Sequence, residues 1–425
     1  MASNDEMTAK EERVSMTGLD ERAWWRGGYG RVLAAQSVSA IGDRISYVVL
    51  PFCLLAAGVS ATGVAVVLGA RAVGYAIAVL YGGVLADRMN RRRLMVISDL
   101  TCFCTQAVTA ALVFAHHQGV ATVVGLQFIY GIAGALFSPA AAGLVPEVVP
   151  SQHLERANGL LGTAANVGMV VGPVIGGTLA AANLASLGLT FDSLTFLVSA
   201  SLLIRISLRQ KAIPAREKSV VASFIEGWQA LLGQRWLLMI ILASSVFELL
   251  SLSAVFSLGP SLANQVLGGA EVWGVLVAVF GIGGIIGGLI APKVPAARPI
   301  VLSAVLLAIL SAQPLILASG LPVVVIGALQ FCAGASLTIY LAISGSTVQR
   351  IIPREVLSRV SSFQMLATTS LLPVGYFAAG GLAKLVGVPG AMRIVAAIAI
   401  VTCLAIIMSP SVRNIQRSEV VGDVS

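Results

Sequence analysis

The sequence predicts an all-α integral membrane protein with twelve transmembrane helices in two related halves of six. Three observations carry this. Only 11% of the 425 residues are charged and 57% are hydrophobic, whereas a soluble domain carries about 25% charge; mean hydropathy is +0.92. Apolar runs long enough to cross a bilayer, roughly 20 residues each, recur along the chain. One long polar connection, residues 207–234, divides them six and six.

The predicted spans of the first half are 31–57, 62–86, 93–115, 119–143, 157–182 and 186–206. Those of the second are 235–258, 271–292, 298–318, 321–345, 358–383 and 388–408. A polar tail, 1–30, precedes them and another, 409–425, follows. The first tail lacks the apolar core of a signal peptide, so no cleavage is expected. In the 207–234 connection, Phe224 to Leu232 has helical spacing and is expected to lie along the membrane surface.

Orientation follows from the loops. Lys10, Arg13, Arg22, Arg26 and Arg31 precede the first span, and alternate loops carry Arg88 to Arg93, Arg156, Arg205 to Arg235, Lys293 with Arg298, and Arg350 to Arg359. The intervening turns at 58–61, 116–118, 183–185 and 319–320 hold no Lys or Arg; only Lys384 and Arg393 break the alternation. Because cytoplasmic loops retain the positive charge, both termini are expected in the cytoplasm of a multi-pass cell-membrane protein. The formal charge of +8 is thus loop charge, and nucleic acid is not an expected partner. Trp24, Trp25, Trp228, Trp236 and Trp273 fall at span ends or in the connection, reading as an interfacial belt. The five cysteines lie inside apolar runs without metal-type spacing and read as small buried hydrophobes.

The halves match weakly in sequence. At an offset of 205, Gly82 to Arg88 aligns with Gly287 to Lys293, and Asp43 with Glu248. At 203, Pro150, Leu154 and Arg156 align with Pro353, Leu357 and Arg359.

An ionisable side chain inside the bilayer costs about 2.5–3.5 kcal/mol on insertion scales and therefore faces a cavity or a partner. The candidates are Asp43, Arg44, Arg71, Asp99, Asp192 and Glu248. Asp43, Arg71 and Glu248 fall at similar mid-membrane depth, so Asp43 with Arg71, or Arg44 with an acid, is the expected pair. That pair can be purely structural or can couple transport. Burial favours the neutral form of a carboxylic acid, which suits loading and release of protons. Asp99 and Asp192 read rather as helix-end hydrogen-bonding groups. Gln36, Tyr47, Gln127, Tyr130, Gln313, Gln330, Tyr340 and Gln364 are the sparse mid-membrane polar set, and Met169, Met239, Met365, Phe247 and Phe331 add adaptable apolar surface. This balance favours an amphipathic solute over a sugar.

In the fifth span, Gly159, Gly168, Gly172, Pro173, Gly176 and Gly177 form the most specific pattern. Glycines four apart line one face and admit a neighbouring backbone, while Pro173 removes a donor and bends the helix.

The loop Gly83-Val84-Leu85-Ala86-Asp87-Arg88-Met89-Asn90-Arg91-Arg92 resembles the signature between the second and third helices of the major facilitator superfamily, with Asn90 replacing a glycine. Asn tolerates a left-handed turn, so the departure is mild. The fifth-span pattern resembles that family's antiporter motif. Ser39-x-x-Gly42-Asp43-Arg44, Phe137-Ser138-Pro139-Ala140, Pro373-Val374-Gly375 and Gly380-Gly381 resemble the bacterial twelve-helix drug and siderophore exporters, similar to macrolide, tetracycline and enterobactin efflux proteins. One position departs: many proton-coupled exporters of the family carry an arginine four residues before Gly131, and here it is Gln127.

The resemblance implies two pseudo-symmetric six-helix bundles around a central cavity. It implies export of a small amphipathic molecule by alternating access and proton antiport, in a functional monomer that uses the proton gradient and no cofactor. Asp43, Glu248, Arg71 and Arg44 would couple protons to substrate. Gly83, Asp87, Arg88, Arg91 and Arg92 would form a cytoplasmic gate, with Asp87 beneath the start of the eleventh helix near Arg354 to Arg359. Asp87 would gate asymmetrically, since Pro292 stands at its aligned position. An uptake facilitator of the same fold is the first rival, and a non-transporting sensor or assembly partner the second. Enzymatic activity is not expected, because His116, His117 and His153 sit in loops without a nucleophile or metal spacing.

Overall fold

A computed structural model describes residues 27–115, 119–206, 235–294, 298–352, 360, 364 and 367–410, apart from the side chains of 80–88, 151 and 235. The surface helix expected within 207–234, residues 1–26 and 411–425 of the two tails, His116 and His117, and Trp24, Trp25 and Trp228 lie outside the described residues; the first helix starts at Gly28, inside the tail expected over 1–30.

The first half contains α1 (Gly28–Ala56), α2 (Ala61–Arg88), α3 (Arg91–Phe114), α4 (Val120–Val148), α5 (Leu154–Ala181) and α6 (Ala185–Ile204). The second contains α7 (235–267), α8 (Ala270–Ile290), α9 (299–317) and α10 (Val323–Ile351). A final helical run, Leu372–Met408, is broken at Gly387, where φ is +77°. It divides there into α11 (372–386) and α12 (388–408). Eleven helices among the described residues are long and apolar enough to span a membrane, with α11 and α12 counted as one.

The polar loop between α2 and α3 works through caps. Asn90 accepts a hydrogen bond from the Arg93 backbone N–H at 3.2 Å and so starts α3. Its φ of −61° and ψ of 117° are extended, not the left-handed turn expected of it. Capping suits the short amide side chain here, so the replaced glycine is offset by a side-chain acceptor. Arg91 donates to the Gly143 carbonyl and to Glu147 at the end of α4, at 2.7 and 2.8 Å. Arg92 donates to the carbonyls of Ile204 and Ile206 at the end of α6. Cations at helix C-termini satisfy otherwise unpaired carbonyls and the negative end of the helix dipole.

Close glycine contacts lock the helices together. A Cβ on Gly131 of α4 would lie 2.0 Å from the Arg71 carbonyl oxygen, and one on Gly74 of α2 would lie 2.2 Å from that of Phe128. The second half repeats this seam: Gly334 of α10 against Phe280, and Gly283 of α8 against Phe331. The repeat has an offset of 203 between α4 and α10 but 209 between α2 and α8. The mid-helix register therefore differs by four residues from the 205 read at the loop, and it pairs Gly287 with Ala78 rather than Gly82.

Three apolar cores tell the two ends of the molecule apart. At the end nearer the chain termini, Tyr29, Leu94, Leu144 and Leu203 pack within the first half. Trp236, Leu237, Leu307 and Ile352 pack separately within the second. At the opposite end one core joins the halves, with Val48 and Phe52 of α1 against Leu258, Leu262, Trp273 and Met392. There Gly177 of α5 meets Gly274 of α8, and Thr62 of α2 donates to the Gly380 carbonyl of α11 at 2.8 Å.

Trp236 and Trp273 are buried in these cores, which corrects the interfacial reading for both. Trp273 fills the space left by Gly259, a contact that position along a span cannot reveal. Cys53, Cys102 and Cys403 are buried as expected, but Cys104 and Cys332 are exposed. An outward-facing position in a bilayer is as apolar as a core position, so hydropathy does not separate them.

Candidate functional site: an arginine shared by two cavities

Two adjoining cavities lie in the middle of the molecule. The first, about 390 Å³, is lined by Gln36, Asp43, Arg44 and Tyr47 of α1, Arg71 and Tyr75 of α2, Asp99 and Cys102 of α3, and Tyr130 of α4, among others. The second, about 300 Å³, is lined by Tyr47, Arg71 and Tyr75 from the first half and by Glu248, Thr369, Leu372 and Tyr376 from the second. Arg71, Tyr47 and Tyr75 border both.

Arg71 lies 3.6 Å from Asp43 through Nη2, and the two side chains are 13% and 36% exposed. Its guanidinium sits over the rings of Tyr130 and Tyr47, at 4.1 and 4.4 Å from their centroids, in position for cation–π attraction. The Tyr130 hydroxyl also donates to Asp43 Oδ1. Of the two pairs expected, Asp43 with Arg71 is the one formed. Arg44 makes no ion pair among the described residues; it lies 5.8 Å from the Tyr47 centroid, and its Cβ fills the space beside Gly172.

Glu248 sits in a π-helical turn, Phe247–Leu252, within α7, a distortion common at functional sites. It hydrogen-bonds Thr368. A Cβ on Gly375 would lie 2.1 Å from the Leu249 carbonyl, so the bare glycine lets α11 rest on this turn and bring Tyr376 to the cavity.

Several candidates lie elsewhere. Gln127 is fully buried and donates to Gln106 Oε1 at 3.0 Å. Gln330 accepts from Gln313 at 2.9 Å, and Tyr340 bonds Ser244 at 2.6 Å. None of the three lines either cavity; buried amides and phenols need partners, and these bond between helices, although Gln127 Oε1 is left without one. Gln127 and Gln330 also stand at the 203 offset, so each half has one glutamine pair.

Asp99 and Asp192 are not helix-end groups. Asp99 lines the first cavity and accepts from Ser199 at 2.6 Å. Asp192 is fully buried, eight residues into α6, and accepts from Gln106 Nε2 at 2.6 Å, while that same nitrogen bonds Ser46 at 2.7 Å. The missed signal was Gln106, an uncompensated amide inside the third span.

The glycine motif divides. Cβ atoms on Gly168, Gly172 and Gly176 would meet the α1 backbone at Ala40, Ile41 and Ile45 at about 3 Å, and Pro173 touches Gly274 of α8 through its carbonyl. Gly159 has nothing within 4 Å and is no part of the seam. The side chains of Asp87 and Arg88, and residues 353–359, lie outside the described residues, as does Met365.

Two helical halves of a polytopic membrane protein, closed on each other at one end and enclosing charged cavities midway, define the class. The sequence matches the profile of the Major Facilitator Superfamily over residues 32–372, and the chain belongs to that family. It is 29% identical over 162 residues to the multidrug efflux pump Tap of Mycolicibacterium fortuitum, covering 37% of this chain and 39% of that protein. It is 28% identical over 159 residues to macrolide efflux protein A of Streptococcus pyogenes, covering 36% and 38%. The matches thus span about two fifths of these curated relatives. Its fold is similar to that of the nucleoside transporter NupG, with a TM-score of 0.76, 9% identity, and coverage of 90% of this chain and all of that one.

Proposed function

We propose that this protein exports a small amphipathic molecule across the cell membrane by alternating access, exchanging it for protons. The observation that carries the reading is Arg71, which borders both the Asp43 cavity and the Glu248 cavity where the two halves meet. A protonatable acid on each side of one guanidinium lets substrate and proton compete for the same charge. The tyrosines around it supply flat, amphipathic contact surface. Gln127 stands where related exporters carry an arginine, and Arg71 reaches the same neighbourhood over Tyr130.

The direction of export is supported by the resemblance to efflux relatives and by the fifth-helix glycine seam. With both termini in the cytoplasm, the separated cores would face inward and the joined core would close the outer side. The protein would act as a monomer, powered by the proton gradient without a cofactor and without catalytic chemistry of its own.

The test is dye or macrolide uptake into everted vesicles under an imposed pH gradient. Asp43→Asn and Glu248→Gln are each expected to abolish gradient-driven uptake at normal expression levels. Unchanged uptake in both would end the proton reading. In whole cells an uncoupler should raise accumulation of the same compound; lowered accumulation would indicate import instead.

A further inference from the structure

Asp192 and Arg71 are each left half-satisfied inside the first half. Asp192 Oδ2 accepts from Gln106, but Asp192 Oδ1 is buried without a hydrogen-bond partner. Arg71 Nη2 faces Asp43, but Arg71 Nη1 is likewise buried without one. Such groups are costly unless something compensates them.

The two sit in one cluster. Asp192 Oδ1 lies 2.8 Å from the place a Cβ would take on Gly42, the residue before Asp43 on α1. Only a glycine there admits the carboxylate. Asp43, Arg71 and Asp192 are within electrostatic reach of one another. The other titratable groups facing the cluster are Cys102 and Asp99 of α3 and Tyr130 of α4. Arg71 brings one positive charge to two neighbouring carboxyl groups, and Asp43 is the one it faces; the cluster carries no net charge when one of the two acids holds a proton.

The geometry points to an exchange in which Arg71 serves two acids in turn: Asp43 in the state seen here, and Asp192 once Asp43 has taken up a proton. This deepens the proton-exchange reading above and rests on it. A proton arriving on Asp43 frees the guanidinium. The guanidinium turns to Asp192, whose carboxylic acid O–H breaks and releases a proton. The cluster holds one guanidinium, one carboxylate and one carboxylic acid before and after, so charge balances. The rings of Tyr130 and Tyr47 on which Arg71 rests give the cation a polarisable surface to turn on.

The second half cannot do this. Arg71 corresponds to Phe280 by the seam register, and the Gln313–Gln330 pair has no carboxylate attached among the described residues. The exchange would thus belong to the first half alone, leaving Glu248 as a separate acid on the far side of the second cavity.

Infrared spectroscopy at one fixed pH, read as variant-minus-wild-type differences, tests this on the purified full-length protein in lipid vesicles. The wild type is expected to show a carboxylic acid C=O band that Asp192→Glu shifts in frequency and Asp192→Asn removes. Asp43→Asn, a permanent mimic of the protonated acid, should remove that band too, because Arg71 then keeps Asp192 ionised. A band that survives in Asp43→Asn, or a wild-type spectrum that neither Asp192 substitution alters, would overturn the exchange. If Asp192→Asn does not fold, the Asp192→Glu shift and the Asp43→Asn loss still decide it. These spectra need no substrate, so they are independent of whether vesicles transport.

Discussion

Arg71 is one residue asked to do several things: face Asp43, lie on two aromatic rings, and border both cavities. A planar fork with fixed donor directions suits that, and a lysine's point charge does not. Arg71→Lys keeps the charge and loses the second donor direction. Losing the flat stack of the guanidinium on Tyr47 and Tyr130 costs about 2 kcal/mol for a desolvated cation–π contact, or roughly tenfold and more in rate. Transport by Arg71→Lys in vesicles should fall at least that far at unchanged expression; a rate within about twofold of wild type would remove the fork from the mechanism. Mid-membrane depth along the spans was enough to bring Asp43, Arg71 and Glu248 forward as candidates. The role of Asp192 was not legible, because its meaning depends on Gln106 and Ser46, which stand 86 and 146 positions away in the chain and only the packing of α1, α3 and α6 unites.

At the scale of elements, glycine position matters more than glycine count. Gly131 and Gly159 both belong to glycine-bearing spans, yet a methyl on Gly131 would collide with the Arg71 carbonyl while one on Gly159 meets nothing. Overpacking a tight seam costs about 1–3 kcal/mol, and glycine to alanine on an open helix face gains up to about 1 kcal/mol. Gly131→Ala should therefore lower the melting temperature and, by displacing α2, disturb Arg71. Gly159→Ala should melt at or above the wild-type temperature. A Gly159→Ala protein as unstable as Gly131→Ala would return Gly159 to the seam. The loop arginines make the same point. Positive charge at Arg91 and Arg92 predicted orientation, and the structure adds that both close helix C-termini. Arg91→Ala should thus loosen the end of α4 by about 0.3–1 kcal/mol, read as faster amide exchange at Val145, Glu147, Val148 and Val149.

For the whole molecule, the joined core at the end away from the termini is the seal that the proposed alternating access would have to break. Thr62 and Gly380 meet there across the halves, and a Cβ on Gly380 would lie 3.5 Å from the Thr62 Cα. Cysteines at both positions fall within disulfide reach. The Thr62→Cys, Gly380→Cys double variant should cross-link on oxidation and stop transport, and a reductant should restore it. Full transport by the cross-linked protein would show that this seal never opens.

The sequence by itself determined the helices, their division into two halves and the family. Lipid leaves a chain few options, since each span must bury its backbone polar groups internally and offer apolar side chains outward. That demand is written residue by residue and reads without knowing any partner. Only the tertiary structure decided which helices touch and in what register. The α2–α8 offset of 209 rather than 205 differs by four residues, close to the 3.6 of one helical turn. Such a shift returns the same residues to nearly the same face, so hydropathy looks alike in both registers. Carbonyl-to-glycine contacts a few ångströms across tell them apart, and they put Phe280, not a charge, opposite Arg71.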